Sequence, residues 1–156
     1  MNKVPMTAIG YQKLQDELKK LINKDRPEII ASIAEARGHG DLSENAEYQY
    51  AKEQQSLIEG KIIELESAIA QAEIIDISKL SGSEIKFGAT VKIKDDETNE
   101  QSTYQIVGEY ESDINNKKLS INSPLAKGLI GKTKNDAVEV NSPKGTKIYT
   151  VLSVKF

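Results

Sequence analysis

Two carboxylates, Asp41 and Glu44, stand three residues apart directly after the sequence Gly38-His39-Gly40. At the start of a helix, residues three apart lie on one face, so both carboxylates can point beyond the helix end. Mg²⁺ prefers oxygen ligands and usually takes one or two protein carboxylates, with water and phosphate completing its octahedral shell. The pair therefore predicts an incomplete metal site, the rest of which another molecule must supply.

The same two residues also fit a purely structural role. With Asp41 as the N-cap and Glu44 at the third helical position, they form a capping box in which Asp replaces Ser or Thr. Both negative charges are also favourable at the positive end of a helix. The spacing alone leaves the metal-binding role and the capping role open.

Apolar residues recur at helical spacing on both sides of this segment. The first series is Leu14, Leu18, Leu21, Ile22, Ile29, Ile30 and Ile33, with Ala34 and Ala36. The second is Ala46, Tyr50, Leu57, Ile58, Ile62, Leu65, Ala68 or Ile69, and Ala72. Two long helices joined by a short turn must lie antiparallel, so residues 1–76 are predicted to form a two-helix coiled-coil hairpin. Pro27 predicts a bend, because it lacks an amide donor.

The second half of the chain changes to a period of two after a Ser/Gly-containing linker, residues 77–88. The alternating apolar residues are Val91 and Ile93, Tyr104 and Ile106, Val138 and Val140, and Leu152, Val154 and Phe156. Asn141 to Gly145 predicts a hairpin turn and Pro124 a short helix. Residues 89–156 are therefore predicted to form a small antiparallel β-sheet domain with a short helix, which makes the fold class α+β.

Composition excludes several classes of function. Residues 1–76 hold nine basic and fourteen acidic residues, and residues 77–156 hold twelve and ten, for a net charge of -3 in the whole chain. This excludes binding of nucleic acid by bulk positive charge. The absence of cysteine excludes disulfides and thiolate chemistry, and the single histidine, His39, excludes a His-rich metal centre. We find no apolar run long enough for a membrane span and expect a cytoplasmic protein.

The segment Glu35-Ala-Arg-Gly-His-Gly-Asp-Leu-Ser-Glu-Asn-Ala-Glu-Tyr48 closely resembles the signature of the bacterial Gre transcript-cleavage factors. Further matches lie along nearly the whole chain: Met6-Thr7, Gly10, Lys13-Leu14, Arg26 to Ile30, Lys52 to Gln55, Phe87 to Val91, Ile106 to Gly108, Asn122 to Ala126 and Gly128 to Lys132. A fourteen-residue motif between two predicted helices is far more specific than an isolated Asp-x-x-Glu.

The resemblance implies a fold and a function. The sheet domain would be FK506-binding-protein-like and would bind RNA polymerase, while the hairpin would enter the polymerase's secondary channel. Asp41 and Glu44 would help to hold a Mg²⁺ ion that the polymerase's own aspartates complete, an ion that the free protein does not bind tightly. The protein would then not be an enzyme itself; it would stimulate the polymerase's cleavage of the 3′ end of backtracked nascent RNA and rescue arrested complexes.

The resemblance also implies contacts for other residues. Arg37 and Lys52 would contact the nascent RNA within the nucleic acid of the transcription complex. Lys52 would bind phosphate in a less defined geometry than an Arg, because it lacks the planar guanidinium that binds through two nitrogens. Asn122, Ser123 and Pro124 would dock on the largest polymerase subunit. The roles of His39 and Tyr48 at the tip stay open, and we expect a monomer.

Two alternatives remain. A channel-binding inhibitor would occupy the polymerase without promoting cleavage; inhibitory relatives depart from the tip sequence Asp-Leu-x-Glu-Asn-Ala-Glu, which is intact here. A prolyl isomerase would need a pocket walled by aromatic rings, and residues 77–156 offer few of them.

Overall fold

The computed structural model describes residues 3–40 and 45–156, so the predicted metal ligands Asp41 and Glu44 lie outside the described residues. The described chain forms two compact units. One is Tyr11–Ala72, and the other combines Lys3–Gly10 with Glu73–Phe156. The first is helical and the second is rich in β-strands, which confirms the α+β fold class. The bounds predicted for the two domains and the linker stay a prediction.

The helical unit is built from three α-helices, α1 (Ala8–Lys20), α2 (Arg26–Arg37) and α3 (Ala46–Ala70). A π-helical turn, Leu21–Asp25, joins α1 to α2, and the Arg26 amide donates to the carbonyl five residues back. This wide turn comes directly before Pro27, which has no amide hydrogen to continue the α-helical pattern. The predicted irregularity at Pro27 is thus confirmed, and it begins upstream of the proline.

Helix α3 runs antiparallel to α2, as predicted. Arg26, at the start of α2, bonds to Glu59, whereas Ala36, near the end of α2, bonds to Asn45 just before α3. The start of α2 therefore lies beside the later part of α3, and the end of α2 lies beside the start of α3. The Gly38 and His39 amides close the last turn of α2 on the carbonyls of Glu35 and Ala36, so the helix ends where the glycines predicted.

The buried residues of the hairpin that lie nearest to the tip are small. Ile62 and Leu65 are almost fully buried far from the tip, whereas Ala36 and Ala51 are the buried residues nearest to it. The predicted seam is wrong at five positions. Ile30, Tyr50 and Leu57 are 51%, 64% and 65% exposed, and Ala34 and Ala46 are exposed as well. Steps of three and four back from Ile62 lead through positions 58, 55, 51 and 48, so Ala51 takes the seam position that was predicted for Tyr50.

The second unit contains a five-stranded sheet. Its strands are β3 (Thr90–Asp95), β4 (Gln101–Val107), β5 (Lys118–Ser120), β6 (Ala137–Ser142) and β7 (Gly145–Lys155). The first two strands of the chain, β1 (Val4–Met6) and β2 (Ala72–Ile74), pair with each other in a separate two-stranded sheet. The strand order is β5-β4-β3-β7-β6. The short helix α4 (Pro124–Leu129) contributes Ala126 and Leu129 to the core formed with the sheet.

Most strand pairs are antiparallel, as predicted, but β5 runs parallel to β4. The chain between them passes through two 3₁₀ turns, Glu109–Glu111 and Ile114–Asn116, and enters β5 in the same direction as β4. A tight hairpin joins only antiparallel strands, so this longer connection is what permits the parallel pair. The predicted hairpin between β6 and β7 is confirmed, with Ser142 paired to Gly145.

Strand β7 carries a bulge that the alternation pattern did not predict. Lys92 pairs with Ser153 whereas Ile93 pairs with Val151, which leaves Leu152 as the extra residue. An extra residue changes the phase of the alternation. Val151 is therefore fully buried, whereas Leu152, which the alternation pattern included, is only partly buried.

Within the second unit, Glu111 holds the segment that precedes α1. Its carboxylate accepts hydrogen bonds from the amide and the hydroxyl of Thr7 and from the Gly108 amide. A Cβ on Gly10 would collide with this carboxylate, and a Cβ on Gly108 would lie 2.3 Å from the Pro5 carbonyl oxygen. Gly108 therefore requires glycine, whereas a side chain at Gly10 would displace the Glu111 carboxylate from its hydrogen bonds.

Candidate functional site: the hairpin tip

Asn45 joins the two helices at the tip with one side chain. Its Nδ2 donates to the Ala36 carbonyl, 2.6 Å away, and its Oδ1 accepts from the Tyr48 amide at 3.1 Å. The first bond gives the Ala36 carbonyl a second donor beside the His39 amide, and the second bond caps α3. Asn45 therefore holds the two ends between which the segment 41–44 is inserted.

The N-cap of α3 is Asn45, and the helix begins at Ala46. The capping role that the sequence offered as an alternative for Asp41 and Glu44 lies outside the described residues.

His39 and Glu47 form a second link across the tip. His39 Nδ1 lies 3.1 Å from Glu47 Oε2, and both side chains are more than half exposed. Glu47 is also the acidic residue in the first turn of α3, where a negative charge is favourable. His39 therefore has a contact within the tip itself, so the structure adds a bracing contact to the role that the sequence left open for it.

Arg37 and Lys52 lie on the same edge of the hairpin. The Arg37 guanidinium carbon is 6.0 Å from the centre of the Tyr48 ring. Lys52 follows Tyr48 by one helical turn and contacts Gln55, with Nζ 3.3 Å from Oε1. Arg37 thus lies against the Tyr48 ring, and helical spacing puts Lys52 on the same face of α3 as Tyr48; we call the edge with Arg37, Tyr48 and Lys52 the basic edge.

Further from the tip, the basic edge carries a closed ion pair. Arg26 binds the Glu59 carboxylate through two nitrogens, each with a 2.8 Å contact. This hydrogen bonding raises the pKa of Arg26 above its ordinary value. Because its charge is already matched by Glu59, Arg26 contributes less to the positive potential of the edge than Arg37 or Lys52.

The residues predicted to dock on the polymerase form the turn before α4. Ser123 is its N-cap: its hydroxyl accepts from the Ala126 amide at 3.2 Å and donates to the Ser120 carbonyl at 2.7 Å. Asn122 and Pro124 are exposed. Ser123 therefore shapes the turn, while Asn122 and Pro124 present the accessible surface.

Within residues 3–40 and 45–156, no three His, Asp or Glu side chains are grouped closely enough to hold a metal ion. None of the helices in this part of the chain is long and apolar enough to cross a membrane.

Two family models together match almost the whole chain. The model described as "Transcription elongation factor, N-terminal" matches residues 4–74, and the model described as "Transcription elongation factor, GreA/GreB, C-term" matches residues 80–156. The chain belongs to the GreA/GreB family of transcription elongation factors.

Named GreA proteins align with it over nearly their full length. The transcription elongation factor GreA of Rickettsia conorii is 60% identical over 99% of this chain and 95% of its own length. That of Caulobacter vibrioides is 54% identical over 100% and 99%. Among solved structures, the GreA factor homolog 1 of Thermus thermophilus aligns at 25% identity over 99% of this chain and 100% of its own, with a TM-score of 0.46.

Sequence reasoning included Asn45 and Glu47 in the tip motif but assigned neither of them a role. Asn45 precedes Ala-Glu-Tyr, and asparagine is among the strongest N-cap residues, so the signal was present in the sequence. The contact between His39 and Glu47 joins residues at the ends of two different helices, so no spacing within one helix could indicate it.

Proposed function

We propose that this GreA/GreB family member binds RNA polymerase and stimulates cleavage of the 3′ end of backtracked nascent RNA. The observation that carries the proposal is the match of both family models, one to each half of the chain, with the tip motif lying between two antiparallel helices. The protein supplies side chains to the polymerase's reaction and is not an enzyme by itself. It would act in the cytoplasm, where the polymerase transcribes.

The dimensions of the hairpin suit entry into a channel. Helix α3 has 25 residues, which at 1.5 Å per residue gives about 37 Å. Two helices side by side are about 20 Å across. Such a hairpin can carry residues at its tip into the secondary channel while the sheet domain, through Asn122 and Pro124, stays on the polymerase surface.

At the active centre, the tip carboxylates Asp41 and Glu44 would hold a Mg²⁺ ion shared with the polymerase. Carboxylate oxygens are the donor atoms that suit this ion. A second metal ion in phosphodiester hydrolysis favours formation of the attacking hydroxide and stabilises the charged transition state. Asp41 and Glu44 would also orient the attacking water by accepting its hydrogen bonds.

The basic edge would bind the extruded RNA. Arg37 offers a planar, always charged guanidinium that suits phosphate, and Lys52 adds a compact charge one turn beyond Tyr48. These cations are local, so they are compatible with a chain whose net charge is -3. Their role would be to hold the 3′ segment in line with the tip carboxylates.

A transcript-cleavage assay tests the proposal. Stalled, backtracked polymerase complexes with labelled RNA are incubated with Mg²⁺ and the purified protein, and free RNA serves as the control. We expect shortened transcripts in the complexes and intact free RNA. If the protein slows elongation and no transcript is shortened, the inhibitor alternative replaces the proposal.

A further inference from the structure

A groove lies along one edge of the hairpin close to the tip, and we call it the acidic groove. It has a volume of about 280 Å³. The buried residues Ala36 and Ala51 form its floor, and Ile29, Glu35, Glu47 and Tyr50 stand around them. The groove exists because the seam positions here carry alanine, whereas larger residues such as Ile62 and Leu65 fill the seam further from the tip.

The acidic groove and the basic edge lie on opposite sides of the hairpin. At 3.6 residues per turn, side chains two residues apart point about 160° away from each other. Glu35 is two residues before Arg37 on α2, and Tyr50 is two residues before Lys52 on α3. When one edge faces RNA, the other must therefore face a different surface.

The charge of the acidic groove selects its occupant. Two carboxylates, Glu35 and Glu47, stand among its lining residues, which include no cation. Glu47 contacts His39, while Glu35 has no ion pair with any other residue that the structure describes. RNA phosphates would be repelled from such a surface, so nucleic acid is excluded as the occupant.

A long basic side chain matches the remaining features. Its aliphatic stem can lie on Ile29 and the alanine floor while its charged head stays near the carboxylates at the mouth. The Tyr50 ring is 64% exposed and offers a face for a cation–π contact. An arginine or lysine uses the floor, the ring and the carboxylates together.

We propose that the acidic groove receives a basic side chain of RNA polymerase, so that the hairpin contacts the protein wall of the channel with one edge and RNA with the other. This proposal rests on the proposed function. It also assigns a role to Tyr50 and Glu35, which the seam and the basic edge do not use.

Polymerase affinity of matched variants tests the proposal. Glu35→Gln removes a charge from the groove, Tyr50→Ala removes the ring, and Tyr50→Phe keeps it. Glu53→Gln removes an exposed carboxylate of α3 that does not line the groove. The dissociation constant for polymerase is measured for each, together with the cleavage rate at saturating protein. Helix content and melting temperature by circular dichroism verify that each variant is folded.

We expect Glu35→Gln and Tyr50→Ala each to weaken polymerase binding roughly threefold to tenfold, as for a partly desolvated ionic or cation–π contact. Tyr50→Phe and Glu53→Gln should bind as the unaltered protein does. Cleavage rates at saturation should be unchanged, because the groove acts in binding.

Unchanged affinity for Glu35→Gln and Tyr50→Ala would overturn the groove proposal and leave the cleavage function intact. An equal loss in Glu53→Gln would mean a general effect of charge and would also overturn it. If the unaltered protein does not bind polymerase, the proposed function fails and the groove proposal fails with it.

Discussion

The hairpin tip and the sheet core are held together by different forces. In the sheet core, large apolar residues such as Ile93, Ile106 and Leu129 are almost fully buried and supply most of the cohesion. At the tip, the buried residues are alanines, and the helices are joined by polar contacts from Asn45 and by the pair of His39 with Glu47.

The difference shows where stability and function separate. An apolar core resists change at each position, because side chains there are packed to the density of a crystal. A tip of polar contacts and small side chains leaves charged groups exposed on both edges and a groove between the helices. The tip contributes little apolar burial and instead offers charged and polar surface for recognition.

The largest effect on stability should come from the apolar part of the hairpin. Leu65 is fully buried in α3, and Leu65→Ala should lower the free energy of unfolding by about 2–5 kcal/mol. Leu57→Ala, in the same helix but at an exposed position, should change it by less than about 0.5 kcal/mol. Thermal unfolding followed by circular dichroism at 222 nm measures both, and similar losses would contradict the seam described here.

A smaller effect should come from the polar contacts of the tip. Asn45→Ala removes the cap of α3 and the bond to the Ala36 carbonyl, and should lower the free energy of unfolding by about 1–2 kcal/mol. Asn45→Asp keeps an acceptor for the Tyr48 amide and loses only the donor, so its loss should be smaller. The same thermal measurement separates the two, and equal stability of all three proteins would show that Asn45 does not join the helices.

The smallest effect should be a pH dependence of the free energy of unfolding that arises from Asp95 in the sheet unit. The Glu97 amide, and then Lys147, hold the pKa of Asp95 below its ordinary value. The folded protein therefore binds this proton only at lower pH than the unfolded chain does. The stabilising contribution is complete above the unfolded pKa, near 3.8, and is lost as the pH falls through the lower folded pKa.

Asp95→Asn should remove this acid-dependent loss, and Asp96→Asn, beside it, should retain it. Denaturant unfolding at a series of pH values from neutral to about 3 provides the measurement. If the free energy of unfolding of Asp95→Asn falls with decreasing pH as steeply as that of the unaltered protein, Asp95 is not the carboxyl with the lowered pKa.

Much of the fold follows from periodicity in the sequence. Steps of three and four predicted the hairpin, and alternation predicted the buried faces of β3 and β6, because apolar residues must be removed from water along a single face. The errors have local causes. The extra residue Leu152 changes the phase of β7, and Ala51 takes a seam position because a small residue is as compatible with close helix packing as a large one.

The candidate site was less predictable than the fold. Arg37 and Lys52 were identified through the resemblance to the family. Their common edge follows from the contact of Arg37 with the Tyr48 ring, across two helices, and from the position of Lys52 one turn beyond Tyr48. The acidic groove could not be predicted, because it is the space that two small residues on different helices, Ala36 and Ala51, leave between them.

The central claim, that the tip carboxylates act in transcript cleavage, is tested most directly by the double variant Asp41→Asn/Glu44→Gln. Its effect is measured as the rate of transcript shortening in backtracked polymerase complexes with Mg²⁺, with Glu53→Gln as the matched control. The proposed function predicts that the double variant still binds polymerase and no longer stimulates cleavage, while Glu53→Gln stimulates it fully. Stimulation by the double variant at the rate of the unaltered protein would contradict the claim.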